Sequence, residues 1–198
     1  MSGTRGRRAG GPDTRGQILE AARESFADKG FARTTIRGVA VGAGVDPALV
    51  HHYFGSKDDL FLAALQIPVD PRAVLPAVFA PGLDGAGERL LRAVLPVWDD
   101  PDVRLPLVAL VRTSVGHESA QTLLQDGLMR MVLTPLRDLL PADEADTRSQ
   151  LLATQMLGLI VTRYVLALEP LASMPREQVV AWVAPNIQRY LDGPPPSP

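Results

Sequence analysis

The chain is predicted to be all-α. A small N-terminal three-helix domain carrying a helix-turn-helix precedes a larger helical domain, with about nine helices in all by the spacing of the apolar residues. Three observations predict this. Apolar residues recur three and four positions apart, β-branched alternation is rare, and proline and glycine punctuate the chain at helix-length intervals.

The elements follow in order. Thr14 and Gln17 have capping-box spacing, and Ile18, Leu19, Ala22 and Phe26 form the apolar stripe of the first helix. Gly30 ends it, and Phe31 closes over its end. Thr34 or Thr35 caps a second helix whose apolar side is Ile36, Val39 and Ala40. Gly42 and Gly44 flank Ala43 and permit a sharp turn, after which Val45 drops back toward the core. Asp46 is an N-cap and Pro47 a first helical residue for the third helix, about residues 47–54. Val50 and Phe54 share one face of it, while Pro47, Ala48, Leu49, His51 and His52 fall on others. Gly55 stops this helix. Ser56 caps the next, with Asp59 approximating a capping box, and that helix carries Leu60, Phe61, Ala64 and Leu65. Phe26, Ile36, Val39, Val50 and Phe54 make a small core. A domain of about 50 residues is marginal alone, so packing against the rest of the chain is expected. Two short helices across a glycine turn, the second presenting small and polar residues outward, suit a DNA reader.

The segments ILEAARESFADKGF, TTIRGVA, AGVD and HHYFGSKDDLF, in this order and spacing, resemble the DNA-binding domain of the TetR family of bacterial transcription regulators, in an actinobacterial type, over residues 14–65. His51 stands where that family commonly has Tyr. The resemblance implies that Thr35, Tyr53 and Lys57 meet phosphates, and that Pro47, Ala48, Leu49, His51 and His52 enter the major groove of a double-stranded operator. Physical chemistry agrees in part. Lys57 lies in a first helical turn, where backbone amides and a cation both face a phosphate. Neighbouring helical residues diverge by about 100°, so His51 and His52 touch different things. Tyr53 serves core packing, phosphate binding or both.

Net charge is −2 overall, yet residues 1–65 hold nine Arg or Lys against seven Asp or Glu, and residues 66–198 hold eleven against fifteen. Residues 1–13 read as a flexible basic arm with Arg5, Arg7 and Arg8, either strengthening binding along a groove or without a role. The helix-turn-helix domain spans 14–66, an effector-binding and dimerisation domain 67–192, and a disordered tail 193–198. No apolar run follows the N-terminal arginines, and no apolar stretch is long enough for a membrane span. There is no cysteine, so no disulfide and no cysteine-based metal site. These features suit a bacterial cytoplasm.

Beyond residue 66 the expected helices are 71–80, 84–98, 102–118, 119–139, 143–169 and 175–191, with Asp84 and Asp143 as N-caps. Pro135 and Pro185 predict kinks or splits. The helix at 143–169 is apolar around much of its circumference, through Leu152, Met156 and Leu159 among others, and that at 175–191 carries Val179, Trp182, Val183 and Ile187 among others. Gly158 suggests close approach by another helix. In TetR-like proteins these helices form a four-helix dimer interface, here assigned to Leu152, Leu159, Val179, Trp182, Val183 and Ile187; a wholly intramolecular core is the alternative.

The resemblance also implies a small, largely apolar ligand among the middle helices. Trp98, Val108, Arg112, His117, Met129, Met156, Arg163 and Tyr164 are candidates for its lining, against plain core packing. Arg112 and Arg163 interrupt apolar runs and need a partner, because an unpaired buried charge is very costly. Glu118, Glu169 or Asp126 would serve, or an anionic ligand. No phosphate loop, nucleophile elbow or metal-spaced His/Glu set is present, so neither an enzyme nor a cofactor or metal is expected. The expected function is a homodimeric, ligand-released repressor on a palindromic operator. A DNA-binding regulator without a small-molecule effector is the alternative.

Overall fold

The computed structural model describes residues 13–67, 69–114, 116–140 and 144–194, all of them helix, turn or loop. The chain divides into two compact units, Met1–Leu65 and Gln66–Pro198. The basic arm up to residue 12, the tail from 195 and the expected cap Asp143 lie outside the described residues.

Every helix of the first unit starts on a side chain that accepts from its own first turn. In α1 (Thr14–Arg33) the cap is Asp13, bonded to Gly16 N–H at 3.0 Å. This corrects the expected Thr14–Gln17 box: the carboxylate one residue earlier reaches the free amides first. In α2 (Ile36–Ala43) the cap is Thr35, accepting from Gly38 at 3.0 Å. Thr34 is instead buried, its hydroxyl shared between the Ser25 and Gly30 carbonyls at 2.9 Å. Asp46 caps α3 (Pro47–Phe54) through Ala48 N–H at 2.7 Å, with Pro47 at the first turn. Ser56 caps α4 (Lys57–Ala64) through Asp59 N–H at 3.1 Å, and its own hydroxyl donates to the Asp59 carboxylate. At Gly30 the backbone leaves helical geometry, with φ 73° and ψ 170°, so the regular helix breaks there as expected and a short helical turn follows it to Arg33.

These caps aim three aromatic rings at one another. Phe26 and Phe31 stack at 5.7 Å, and Phe61 meets both edge-on at 4.8 and 5.2 Å. Ile18, Val39, Val50 and Leu60 complete a fully buried centre. Ile36 is only half-buried, so Val39 holds the inward place on α2.

The second unit is built from α5 (Pro71–Phe79), α6 (Ala86–Asp99), α7 (Pro101–Ser114), α8 (Glu118–Gly127), α9 (Thr134–Leu139), α10 (Ala145–Ile160) and α11 (Arg176–Asp192). Its core joins Leu90, Leu91 and Leu95 of α6 to Leu152 and Leu159 of α10 and Val179, Ile187 and Leu191 of α11. α6 and α11 cross at Gly87, where an added Cβ would lie 2.7 Å from the Ala184 carbonyl and 2.9 Å from Gln188 N. The Gln188 side chain clamps this crossing, accepting from Gly87 N–H at 3.0 Å and donating to the Leu83 carbonyl at 2.8 Å. A Cβ added at Gly158 would meet nothing within 4 Å outside its own helix, so the expected close approach is not seen there among the described residues.

Two π-helical turns interrupt the long helices. Leu128–Leu133 precedes Pro135, whose missing N–H breaks the regular ladder, so the expected split falls there. Val161–Val165 extends α10. Pro185 sits inside α11, which continues unsplit through it. Asp84 does not cap α6; Gly85 does, at φ 67°, because the Arg89 guanidinium takes the loop carbonyls of Asp84, Gly82 and Val78.

Candidate nucleic-acid interface and effector region

α3 divides cleanly. Val50 and Phe54 are buried, and Ala48, Leu49, His51, His52 and Tyr53 are exposed, with Pro47 half-buried at the start. Tyr53 is 42% exposed, which leaves its hydroxyl outside the core. Its ring meets His52 edge-on at 5.5 Å. The His51 ring is anchored: Nδ1 lies 2.9 Å from the Gly55 carbonyl. Thr35 is exposed at the head of α2 while its hydroxyl oxygen caps that helix.

Two cations flank this face. Lys57 Nζ lies 4.2 Å from the centre of the Phe31 ring and 3.4 Å from the Ala32 carbonyl. It is thus docked at the end of α1, where the last carbonyls favour a cation. Arg15 stands 5.3 Å over the Phe54 ring, at the far end of α3. Sequence reasoning missed Arg15, since only tertiary packing brings the first turn of α1 to Phe54.

The eight effector-region candidates do not form one group. Trp98 and Tyr164 do meet, stacked at 5.9 Å, and Arg163 and Arg104 lie 5.3 and 5.8 Å over the Tyr164 ring. Val108 is buried and Met156 packs on the core. His117 and Met129 are exposed, which takes them out of any enclosed lining. Arg112 donates to the Val165 carbonyl at 2.9 Å.

Arg163 is 9% exposed, and its ion-pair partner is Asp99 at 3.8 Å, not Glu118, Glu169 or Asp126. It also donates to the Leu171 carbonyl, while its Nε is buried without an acceptor. Asp99 also accepts from Tyr164 Oη at 2.8 Å and from Arg176 at 2.7 Å. Burial first, and the bond to Asp99 second, push the Tyr164 hydroxyl up to about 12. Asp99 was missed in the sequence, though one signal marks it: a carboxylate at a helix C-terminus opposes the helix dipole and calls for cations elsewhere.

Four of the six residues assigned to a dimer face are corrected. Leu152, Leu159, Val179 and Ile187 are buried in the second unit's own core and have no surface to offer. Val183 is half-buried against that core, and Trp182 is 74% exposed. On α10 the outward stripe runs through Leu151, Thr154 and Gly158. Among the described residues no group of three His, Asp or Glu is placed to hold a metal, and no helix is long and apolar enough to cross a membrane.

Residues 18–64 match the family described as bacterial regulatory proteins, tetR family, and residues 84–191 match the tetracyclin repressor-like C-terminal domain. Over 55 residues the chain is 42% identical to the HTH-type transcriptional regulator BetI of Brucella anthropi, covering 28% of each chain. It is equally similar to BetI of Rhizobium meliloti over 55 residues, covering 27% of that protein. The match therefore spans under a third of these curated relatives. A crystal structure of a TetR-family regulator from Streptomyces coelicolor A3 is 38% identical with a TM-score of 0.54, covering 94% of this chain and 98% of that one. A TetR-family structure from Mesorhizobium loti, 15% identical with a TM-score of 0.51, shares the fold over 90% of this chain and 95% of that one.

Proposed function

Since the chain belongs to the TetR family of bacterial regulatory proteins, we propose that this DNA-binding transcription regulator is a cytoplasmic homodimeric repressor on a palindromic operator, released by a small molecule. The exposed face of α3, made of Ala48, Leu49, His51, His52 and Tyr53, is the observation that carries the DNA half of this reading. Pro47, Ala48, Leu49, His51 and His52 meet bases, and Thr35, Tyr53 and Lys57 meet phosphates. Two such heads on a two-fold axis match half-sites one or more helical turns apart.

Dimerisation rests on the outer surfaces of α10 and α11. Trp182 is a large exposed aromatic, and the open space over Gly158 admits a close backbone approach. The effector reading rests on the Trp98–Tyr164 stack and its arginines. Ligand binding there displaces Leu60–Gln66 and so changes the separation of the two α3 helices; a coupling of about 1–3 kcal/mol suffices.

Electrophoretic retardation of genomic fragments, combined with sedimentation of wild type and Trp182→Arg, tests this. A wild-type dimer that retards specific fragments, and a Trp182→Arg chain that sediments as a monomer and retards none, is the expected result. A wild-type monomer that retards no fragment sinks the reading. Specific retardation that no small molecule relieves would favour a regulator without an effector.

A further inference from the structure

The turn that ends α3 dictates the hydrogen-bonding character of one of its exposed side chains. Gly55 has φ 73° and ψ −67°, and Ser56 N–H donates back to the Phe54 carbonyl at 2.8 Å. Those angles and that bond define the rare, strained form of γ-turn, which a residue with a Cβ adopts with difficulty. The turn presents the Gly55 carbonyl to the His51 ring, with Nδ1 at 2.9 Å. A carbonyl oxygen only accepts, so Nδ1 carries the hydrogen. In a neutral imidazole the other nitrogen, Nε2, is then a bare acceptor. Among the described residues no such bond anchors His52, whose ring meets Tyr53 edge-on at 5.5 Å.

We infer that His51 is a specificity-determining acceptor, whose Nε2 takes a hydrogen bond from an exocyclic amino group in the major groove. Only cytosine N4 and adenine N6 present such donors there. Guanine offers N7 and O6, and thymine O4, all acceptors, so those edges face Nε2 lone pair to lone pair. The contacted position therefore favours C or A over G or T by about tenfold. This inference rests on the DNA-reading function proposed above and adds the chemistry of one base position to it.

The test is selection from a randomised duplex pool with the full chain in mildly alkaline buffer. Wild type should enrich C or A at one position per half-site. His51→Ala should flatten that position alone, and His51→Arg, which only donates, should turn it to G. An unchanged profile for His51→Ala, or G or T at the position it affects, overturns the role of His51 while the DNA-reading function stands. A wild-type chain that enriches no sequence overturns that function and the inference with it. Long-range proton–nitrogen NMR of the ring gives an independent check. The Nδ1–H form is expected, and the Nε2–H form refutes the lock.

Discussion

The Tyr164 hydroxyl donates to the Asp99 carboxylate at 2.8 Å, across 65 residues of chain. Through that one carboxylate the C-terminus of α6, the π-helical end of α10 and the start of α11 are joined, because Arg163 and Arg176 converge on it too.

The pH dependence of this junction has a definite sign. The Tyr164 hydroxyl is raised from 10.0 to about 12 in the folded chain. Below pH 10 the group is protonated in both folded and unfolded states, and its contribution to stability is fully present. Between 10 and 12 the unfolded chain loses a proton that the folded chain keeps, so stability falls as pH rises through that window. An ultraviolet titration of wild type against Tyr164→Phe should show a tyrosinate step near 12 that the variant lacks. A wild-type profile equal to the variant's plus one ordinary tyrosine near 10 would refute it.

Replacing Asp99 tests the same junction from the acidic side. In Asp99→Asn the Tyr164 hydrogen bond is retained, but Arg163 is left buried without its counter-charge. Breaking such a pair from one side costs about 3–5 kcal/mol when it is fully enclosed, and less here because Asp99 is partly solvated. A loss of about 2 kcal/mol in urea unfolding is expected. Asp99→Leu combined with Arg163→Met should recover much of it, since the stranded charge is removed. A double variant no more stable than Asp99→Asn would argue that the ion pair is not what the junction depends on.

Much of the first unit was legible in the sequence because its signals are local. A cap and the amides it satisfies lie within three residues, as with Thr35 and Gly38 or Ser56 and Asp59. The inward and outward faces of α3 follow from helical spacing alone. What escaped was non-local. Arg15 over Phe54 and Asp99 beside Tyr164 are separated by long stretches of chain. Apolarity marks burial without saying what does the burying: Leu152 and Ile187, assigned to a dimer face, are covered by their own unit. Likewise Gly158 drew attention in mid-helix, whereas the backbone crossing that requires glycine is at Gly87.

That pair of glycines makes opposite predictions. In Gly87→Ala the new methyl would meet backbone atoms of Ala184 and Gln188, which have no freedom to swing away. Separating α6 from α11 should destabilise the chain by about 1–3 kcal/mol. In Gly158→Ala the methyl meets open space within the chain, and helix propensity favours it by up to about 1 kcal/mol. Denaturant unfolding at low protein concentration, where association does not contribute, should therefore order the three as Gly158→Ala above wild type above Gly87→Ala. If a second copy approaches α10 at Gly158, the same variant should also weaken dimerisation in sedimentation. Equal stabilities for all three chains would contradict the crossing at Gly87.

Lys57 packs against the end of α1, and the phosphate contact proposed for it separates from that packing by experiment. Its ammonium rests over Phe31 and beside the Ala32 carbonyl, close to the negative end of the α1 dipole. Lys57→Ala should lower the stability of the first unit by about 0.5–1 kcal/mol through that lost contact. On DNA it should weaken all sequences alike and reduce the slope of log affinity against log salt by about one, the signature of one lost phosphate contact. Lys57→Arg keeps a cation over the ring and should retain both properties. If Lys57→Ala lowers stability but leaves the salt slope untouched, the side chain serves the packing of α4 on α1 and no phosphate, because a structural defect changes the folded fraction without changing how many counterions each bound molecule releases.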